Sequence, residues 1–242
     1  MASSFYYDST LEQMVTNNKF NSSFSDQLRR LSRNDSALTT LDLSYNRIGD
    51  TEAIATSQAL SFNSTLTELN LSRNQIGDTG AASIMQVLSS NSTLTELNLS
   101  HNQIGPTAIA RALSSNSTLT TLNLHFNQIG DTGATAISQA LLSNSTLTTL
   151  NLAINKVGDI GAAAIAQSLA SNSTLTTLGL YDNHLSEIVY SSIGRYIERN
   201  KHNKRMRAKT LQQLCCSALS SADKHILKID LPSYNSLYFS AS

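Results

Sequence analysis

The amino-acid sequence predicts an α/β protein built from short repeated units, each containing one strand and one helix. Six copies begin at Leu38, Leu66, Leu94, Leu119, Leu147 and Leu175, with spacings of 28, 28, 25, 28 and 28 residues. In each copy leucines first alternate with polar residues, which is the period of a half-buried strand. Apolar residues then recur at the spacing of one helix face. A single unit of this kind cannot bury its apolar face alone, so the copies must stack on one another.

Residues 1–37 precede the regular copies and are predicted to form an N-terminal helical cap. Ser25 is suited to accept backbone N–H groups at the start of a short helix that begins at Asp26 and carries Leu28 and Leu31 on one face. An open solenoid needs such a cap to cover the apolar face of its first unit. A degenerate copy of the unit is an alternative for three apolar residues in this region, Leu11, Met14 and Phe20.

The order of strand and helix predicts the topology. Consecutive strands that are joined by a helix must be parallel, and such connections are right-handed. A helix is wider than the distance between neighbouring strands, about 4.8 Å, so the helix side of the stack must splay. The predicted fold is therefore a curved right-handed solenoid with parallel strands on the concave face and helices on the convex face.

Two polar columns are predicted to shape the turns of this solenoid. An asparagine follows every strand, and a ladder of amides that satisfy backbone groups explains the column Asn46, Asn74, Asn102, Asn127, Asn155 and Asn183. In the second copy, Asp78 is predicted to cap its own helix. Asn91 closes that helix, and we expect a left-handed backbone there.

The third copy departs from the pattern because three residues are missing after Gly105. Pro106 stands where other copies carry the aspartate, and proline suits the first position of a helix. Three residues are close to one helical turn, so Ile109 and Leu113 should still face the core. We expect a local irregularity in a continuous array.

The sixth copy is predicted to end at Asn200, which occupies the closing-asparagine position. Residues 201–221 then form a C-terminal capping helix with Leu211, Leu214 and Cys215 on one face. Residues 222–242 fit no repeat and are predicted to be a loosely attached tail.

The pattern L-x-x-L-x-L-x-x-N-x-I over residues 38–200 resembles leucine-rich repeats of the ribonuclease-inhibitor type, the subclass with 28-residue units. Similar repeats occur in ribonuclease inhibitor, in Ran GTPase-activating proteins, in NOD-like receptors and in effectors of intracellular bacteria. The near-identity of the copies and the short array resemble the bacterial effectors most. The resemblance implies a binding protein, although a fold alone does not carry a function.

Composition narrows the possible partners. The chain has 17 basic and 17 acidic residues, so its neutral balance gives no reason to expect nucleic acid as a partner. No apolar run is long enough to span a bilayer, and no secretory signal is visible at the start. The two cysteines are adjacent and offer no disulfide framework. We expect a monomer in the cytoplasm, with delivery into a host cell by a signal-peptide-independent route as the alternative.

Catalysis finds little support in the sequence. His101 and His125 occupy neighbouring concave positions, but no nucleophile with an oriented base accompanies them. The spacings typical of metal ligands are absent as well. We therefore expect no enzyme activity, no cofactor and no metal.

Positions that vary between otherwise similar copies give the clearest functional signal, because we expect them to be free of the demands of the fold. The seventh and eighth positions of the copies form an apolar and aromatic group, and Glu68 and Glu96 interrupt a column of threonines at the third position. Aromatic residues and arginine are enriched at interface hot spots. The predicted partner-binding residues are Tyr45, Glu68, Arg73, Glu96, His101, His125, Phe126, Ile154, Tyr181 and Asp182.

The sequence thus predicts a non-enzymatic scaffold that binds another protein on its concave face, and the resemblance to bacterial effectors implies action in a host cell. A regulator of a small GTPase or another enzyme is one alternative. A second alternative is recruitment to a membrane surface through the basic residues of the C-terminal cap, which are Arg195, Arg199, Lys201, Lys204, Arg205, Arg207 and Lys209.

Overall fold

The computed structural model describes residues 12–13, 15–16, 20–106 and 109–218. The chain divides into two compact units, residues 1–200 and residues 201–242. Leu11, Met14 and the predicted tail, 222–242, lie outside the described residues. The predictions made for them are therefore untested.

Strands and helices alternate along the first unit. The strands are β1 (Thr40–Asp42), β2 (Glu68–Asn70), β3 (Glu96–Asn98), β4 (Thr121–Asn123), β5 (Thr149–Asn151) and β6 (Thr177–Gly179). The helices are α1 (Ser22–Ser32), α2 (Asp50–Leu60), α3 (Asp78–Leu88), α4 (Ala110–Ser115), α5 (Gly130–Ser143), α6 (Asp159–Ser171) and α7 (Glu187–Ala218), the last of which extends into the second unit.

The six strands form one parallel sheet in the order β1 to β6. Equivalent residues of successive copies pair directly, so Leu41 lies beside Leu69 and Leu69 beside Leu97. The leucines on the inner side of the sheet are buried together with the inward faces of the helices. The predicted fold class, a curved α/β solenoid of parallel strands and helices, is confirmed.

Helix α1 begins earlier than the sequence suggested. The side chain of Asn21, not Ser25, caps it, because Asn21 Oδ1 accepts the N–H of Phe24 at 2.8 Å. Ser25 lies inside the helix and is buried, and its hydroxyl donates to the carbonyl of Asn21. Phe24, Leu28 and Leu31 are also buried, so the helix presents an apolar face to the core.

The asparagine ladder is present and connects neighbouring copies. Asn74 Oδ1 accepts the N–H groups of Asn46 and Ile48 in the preceding copy, both at 3.0 Å. Its Nδ2 donates back to the carbonyl of Leu43, also in the preceding copy, and to that of Leu71 in its own strand. Each inner asparagine thus satisfies backbone groups that would otherwise be buried without partners.

The closing asparagines form a second ladder, but not with the expected backbone. Asn144 and Asn172 have φ of −74° and −70°, so their conformation is extended rather than left-handed. The side chains of these asparagines form the turn after the helix. Asn172 Oδ1 accepts the N–H groups of Thr174 and Leu175, while Nδ2 donates to the carbonyl of Asn144 in the copy before it. This side-chain turn removes the need for a left-handed residue.

The aspartate column acts between copies, which corrects the prediction that Asp78 caps its own helix. Asp50 Oδ1 accepts the N–H groups of Gly77 and Gly80 in the next copy, at 2.8 and 2.9 Å. Asp78 accepts the N–H of Gly105 in the same manner. The carboxylate therefore satisfies the start of the following helix rather than the helix that carries it.

The third copy shows the expected irregularity, and its effect reaches the fourth copy. Pro106 lies in a turn and α4 begins only at Ala110, so the prediction that proline opens the helix is wrong. Because proline carries no carboxylate, the next copy loses its aspartate acceptor. Gly130 instead donates to the carbonyl of Asn155 at 2.9 Å and adopts φ of +59°, a left-handed value that glycine tolerates. The register of β3 and β4 is unbroken.

We expected the sixth copy to end at Asn200, but α7 runs without interruption from Glu187 to Ala218. Asn200 nevertheless keeps its ladder position and is fully buried, with Nδ2 donating to the carbonyls of Asn172 and Leu175. In earlier copies Ser-Thr follows the asparagine and bends the chain, whereas here Lys201-His202 continues the helix.

Candidate functional site

The predicted partner-binding residues fall into two groups. Glu68 and Glu96 lie within β2 and β3 and are exposed on the sheet. The remaining residues follow the strands, in the turns that lead toward the helices: Tyr45, Arg73, His101, His125, Phe126, Ile154, Tyr181 and Asp182. The site therefore consists of a strand surface and the adjoining edge of the sheet.

The eighth position of every copy has a left-handed backbone. The φ angles are 57° at Tyr45, 55° at Arg73, 54° at His101, 55° at Phe126, 54° at Ile154 and 51° at Asp182. This conformation costs a residue with a Cβ atom about 1–2 kcal/mol, and glycine would avoid the cost. The expectation that these positions are free of the demands of the fold is therefore wrong, because the turn dictates their backbone.

Four rings at this edge form the aromatic cluster: His101, His125, Phe126 and Tyr181. The ring of His101 stacks on Phe126 at a centroid distance of 4.7 Å and meets His125 edge-on at 4.9 Å. Tyr181 lies 5.8 Å from His125. Phe126 is 50% exposed and Tyr181 is 53% exposed. The copies thus bring together side chains that are up to 80 residues apart in sequence.

One histidine of the aromatic cluster, His101, favours the neutral form. Burial lowers the pKa of His101 below its ordinary value, and the positive charges of Arg73 and of protonated His125 lower it further. Nε2 of His125 is buried and has no hydrogen-bond partner within the described part of the chain. Because the pKa of His101 is lowered in the folded state, folding favours its neutral ring. The stability that depends on this neutral ring is therefore lost as the pH falls below the ordinary pKa of histidine.

Other predicted residues surround the aromatic cluster without joining its ring contacts. The guanidinium of Arg73 lies 5.1 Å above the ring of Tyr45, which is 70% exposed. Ile154 is half-buried, and Asp182 is exposed. Ile154, which we expected in an exposed apolar and aromatic group with His125, Phe126 and Tyr181, is thus only partly exposed.

A third carboxylate lies on the strand surface, and the sequence analysis missed it. Asp42 in β1 stands where four other copies have asparagine, at the fifth position. Hydrogen bonds from Ser44 and Asn70 lower its pKa, so it is ionised at neutral pH. Asp42, Glu68 and Glu96 line one groove along β1 to β4. We call these three residues the acidic strand face.

The basic residues near the C-terminus do not share one role. Arg199 Nη2 donates to the carbonyls of Leu169 and Asn172, at 2.6 and 3.0 Å, and Nη1 donates to Ala170. It therefore satisfies carbonyls at the end of α6 rather than facing solvent as part of a charge patch. Lys204, Arg205, Arg207 and Lys209 are exposed in the second unit.

Two further observations concern metals and membranes. Within the described ranges, no cluster of three or more histidine, cysteine, aspartate or glutamate side chains is placed to hold a metal ion. None of the helices that the structure describes is long and apolar enough to cross a bilayer.

Comparison with known proteins agrees with this architecture. A family model for the leucine-rich repeat matches residues 36–55, 62–85, 90–110, 115–138 and 143–166. Curated proteins give no match. Among solved structures the chain is similar to leiomodin-1 actin-binding site 2 (ABS2), with 25% identity and a TM-score of 0.57 over 81% of this chain and 99% of the other.

Two further solved structures are similar. The tropomodulin C-terminal domain of Caenorhabditis elegans has 14% identity and a TM-score of 0.55 over 77% of this chain and 98% of the other. An internalin (inlF) from Listeria monocytogenes str. 4b F2365 has 26% identity and a TM-score of 0.44 over 65% of this chain and 46% of the other. The five matched segments and the six-stranded parallel sheet together identify the chain as a leucine-rich repeat protein.

Proposed function

We propose that the chain is a non-enzymatic scaffold that binds another protein through the aromatic cluster at the edge of its concave face. The observation that carries this proposal is the exposure of Phe126 and Tyr181 within a set of four touching rings. Exposed aromatic groups of this kind are enriched at the centres of protein interfaces. The leucine-rich repeat fold supports the same class of function.

The backbone beneath the aromatic cluster strengthens the argument. Phe126 and His101 occupy left-handed positions at which glycine would relieve strain, and Phe126 also leaves half of its apolar surface in water. Neither property favours the folded chain on its own. A partner that covers the rings would recover the exposed apolar area, at about 25 cal/mol for each Å² buried.

Actin is the first partner to test. The chain is similar over most of its length to leiomodin-1 actin-binding site 2, at 25% identity. The proposal requires a protein partner but does not require actin. Several expectations from the sequence stay predictions. They are the ribonuclease-inhibitor type of the repeats, an origin among bacterial effectors, cytoplasmic location and a monomeric state. Regulation of a small GTPase and recruitment to a membrane also stay predictions.

The first test removes the two most exposed rings of the aromatic cluster. We expect Phe126→Ala combined with Tyr181→Ala to abolish partner capture, because both anchors are lost, while the melting temperature changes little. Capture is measured with actin in a co-sedimentation assay and with cell lysate in a quantitative pull-down.

The matched control is Phe62→Ala combined with Tyr190→Ala, since those rings are 47% and 53% exposed but lie outside the aromatic cluster. This control variant should capture the partner as the wild type does. Equal capture by the wild type and the Phe126/Tyr181 variant would remove the aromatic cluster from the proposal.

A further inference from the structure

We propose that the acidic strand face binds a basic segment of the partner protein, with arginine or lysine side chains placed against Glu68 and Glu96. The inference rests on the proposed function, because it assigns the chemical character of the partner for the same concave surface. It goes further by placing a charged contact on the strands, beside the aromatic cluster.

The opposition of Glu68 and Glu96 is the first argument. The two residues are direct neighbours in the parallel ladder of β2 and β3, and both are exposed. Neither forms an ion pair with any residue that the structure describes. Like charges at directly opposed positions destabilise a sheet by a few tenths of a kcal/mol to about 1 kcal/mol.

The fold itself does not require these carboxylates. The other four copies have threonine at the same position, and threonine is a good strand residue with no charge. The two adjacent copies thus replace a favourable residue by one that repels its neighbour. A bound cation between the carboxylates would turn this repulsion into attraction.

Charge complementarity identifies the occupant as basic. The six strands contain three carboxylates and no lysine or arginine. Asp42 extends the negative surface to β1, and hydrogen bonds from Ser44 and Asn70 hold it in the ionised form. The groove between these side chains is continuous from β1 to β4. An acidic segment would meet repulsion along the part of the groove formed by β1 to β3.

The neighbouring rings favour arginine within that basic segment. His101 follows the strand that carries Glu96 in the same copy, and it stacks on Phe126. Neutral aromatic faces attract guanidinium groups, by about 0.5–1 kcal/mol at exposed sites. A segment that combines arginine with an apolar residue therefore suits both parts of the surface.

The test uses the full chain and two synthetic peptides of equal length, one alternating arginine with leucine and one alternating glutamate with leucine. Binding is measured by calorimetry at low and at moderate salt. We expect the arginine peptide to bind and the glutamate peptide not to bind. We expect Glu68→Thr with Glu96→Thr to weaken arginine-peptide binding roughly two- to twentyfold, from the usual strength of exposed ion pairs.

Stability supplies an independent measurement. Because threonine removes the repulsion, the double variant should melt at a higher temperature than the wild type while binding more weakly. Glu187→Thr, a change at an exposed glutamate at the start of α7 and away from the strands, is the control and should leave peptide binding unchanged. Unchanged peptide binding in the double variant, or equal binding of both peptides, overturns the inference.

A second copy of this chain is a competing occupant, because Lys204, Arg205, Arg207 and Lys209 are exposed and basic. Concentration-dependent dimers that disappear in the Glu68/Glu96 variant would overturn the partner segment in favour of self-association. Loss of partner capture in the Phe126/Tyr181 variant, together with unchanged partner affinity in the Glu68/Glu96 variant, would refute this inference and leave the proposed function intact. Loss of partner capture in the Glu68/Glu96 variant alone would support the acidic strand face and refute the role of the aromatic cluster in the proposed function.

Discussion

At the scale of the residue, the eighth position of each copy combines a fixed backbone conformation with a side chain that varies from copy to copy. The turn after the strand requires a left-handed residue in all six copies, yet no copy uses glycine there. Ile154 is the extreme case, because a β-branched side chain is least suited to this conformation. The backbone cost is fixed by the turn, whereas the choice of side chain is not.

A pair of variants at Ile154 measures this cost. Both Ile154→Gly and Ile154→Ala remove the half-buried side chain, so their difference reports on the backbone. We expect the glycine variant to be more stable than the alanine variant by about 1 kcal/mol, since only glycine adopts φ near 54° without penalty. Denaturant unfolding provides the measurement.

The control for this prediction is Ala163→Gly at an exposed position of α6, where the same exchange should destabilise by about 1 kcal/mol. The two sites should therefore respond with opposite signs. An alanine variant of Ile154 that is as stable as the glycine variant would show that the turn relaxes.

At the scale of the element, the asparagine ladder holds each strand and turn to the next. Asn102 is buried, accepts the N–H of Ile76 and donates to the carbonyls of Leu71 and Leu99. Asn46 opens the same column but is exposed, and among the residues that the structure describes its side chain donates to one group, the carbonyl of Ser44. The same residue type in the same turn thus has different numbers of partners.

This contrast gives a prediction with an internal control. Asn102→Ala should lower the free energy of unfolding by roughly 2–4 kcal/mol, because it leaves several buried backbone groups without partners. Asn46→Ala should cost less than about 0.5 kcal/mol. Chemical denaturation of the two variants tests the difference, and similar losses would mean that the ladder contributes little between copies.

The elements also show which features a sequence can reveal. The strands and Asn74 were predicted correctly because repetition exposes any residue that every copy needs. Asp78 was assigned to its own helix because capping is normally local in sequence, whereas its actual acceptor role reaches 27 residues ahead. Variation at Phe126 marked a candidate site, but comparison of copies carries no information on φ. Ring contacts and the role of Arg199 required the folded arrangement.

At the scale of the whole molecule, stability in a solenoid depends on contacts between neighbouring copies. Helix α4 has 6 residues, whereas α3 has 11 and α5 has 14. A helix of this length depends almost entirely on its packing, because few of its backbone groups can bond within it. We therefore expect the third copy to be less stable than the copies on either side of it.

Hydrogen exchange should locate this weakness. We expect amides of α4 to exchange at least about tenfold faster than those of α3 and α5, which corresponds to an opening free energy smaller by about 1.4 kcal/mol. Mass spectrometry of peptides from the native protein measures the three helices in one experiment. Equal protection of all three would show that the array opens only as a whole.

The aspartate column has a consequence for how such a chain can lengthen by duplication. Asp50 accepts N–H groups from the glycines of the copy after it, while Asn74 accepts N–H groups from the copy before it, so a junction of this type uses one residue from each side. A tandem duplicate of the second copy would supply both residues, so the added copy would form the same hydrogen bonds with its neighbours. In a duplicate of the third copy, Gly105 would follow a copy that carries Pro106 in place of the aspartate. Its N–H would then lack the carboxylate that Asp78 provides in the present chain. The third copy is thus less suited to duplication than the second, because a copy placed after it needs another acceptor, as Gly130 finds in the carbonyl of Asn155.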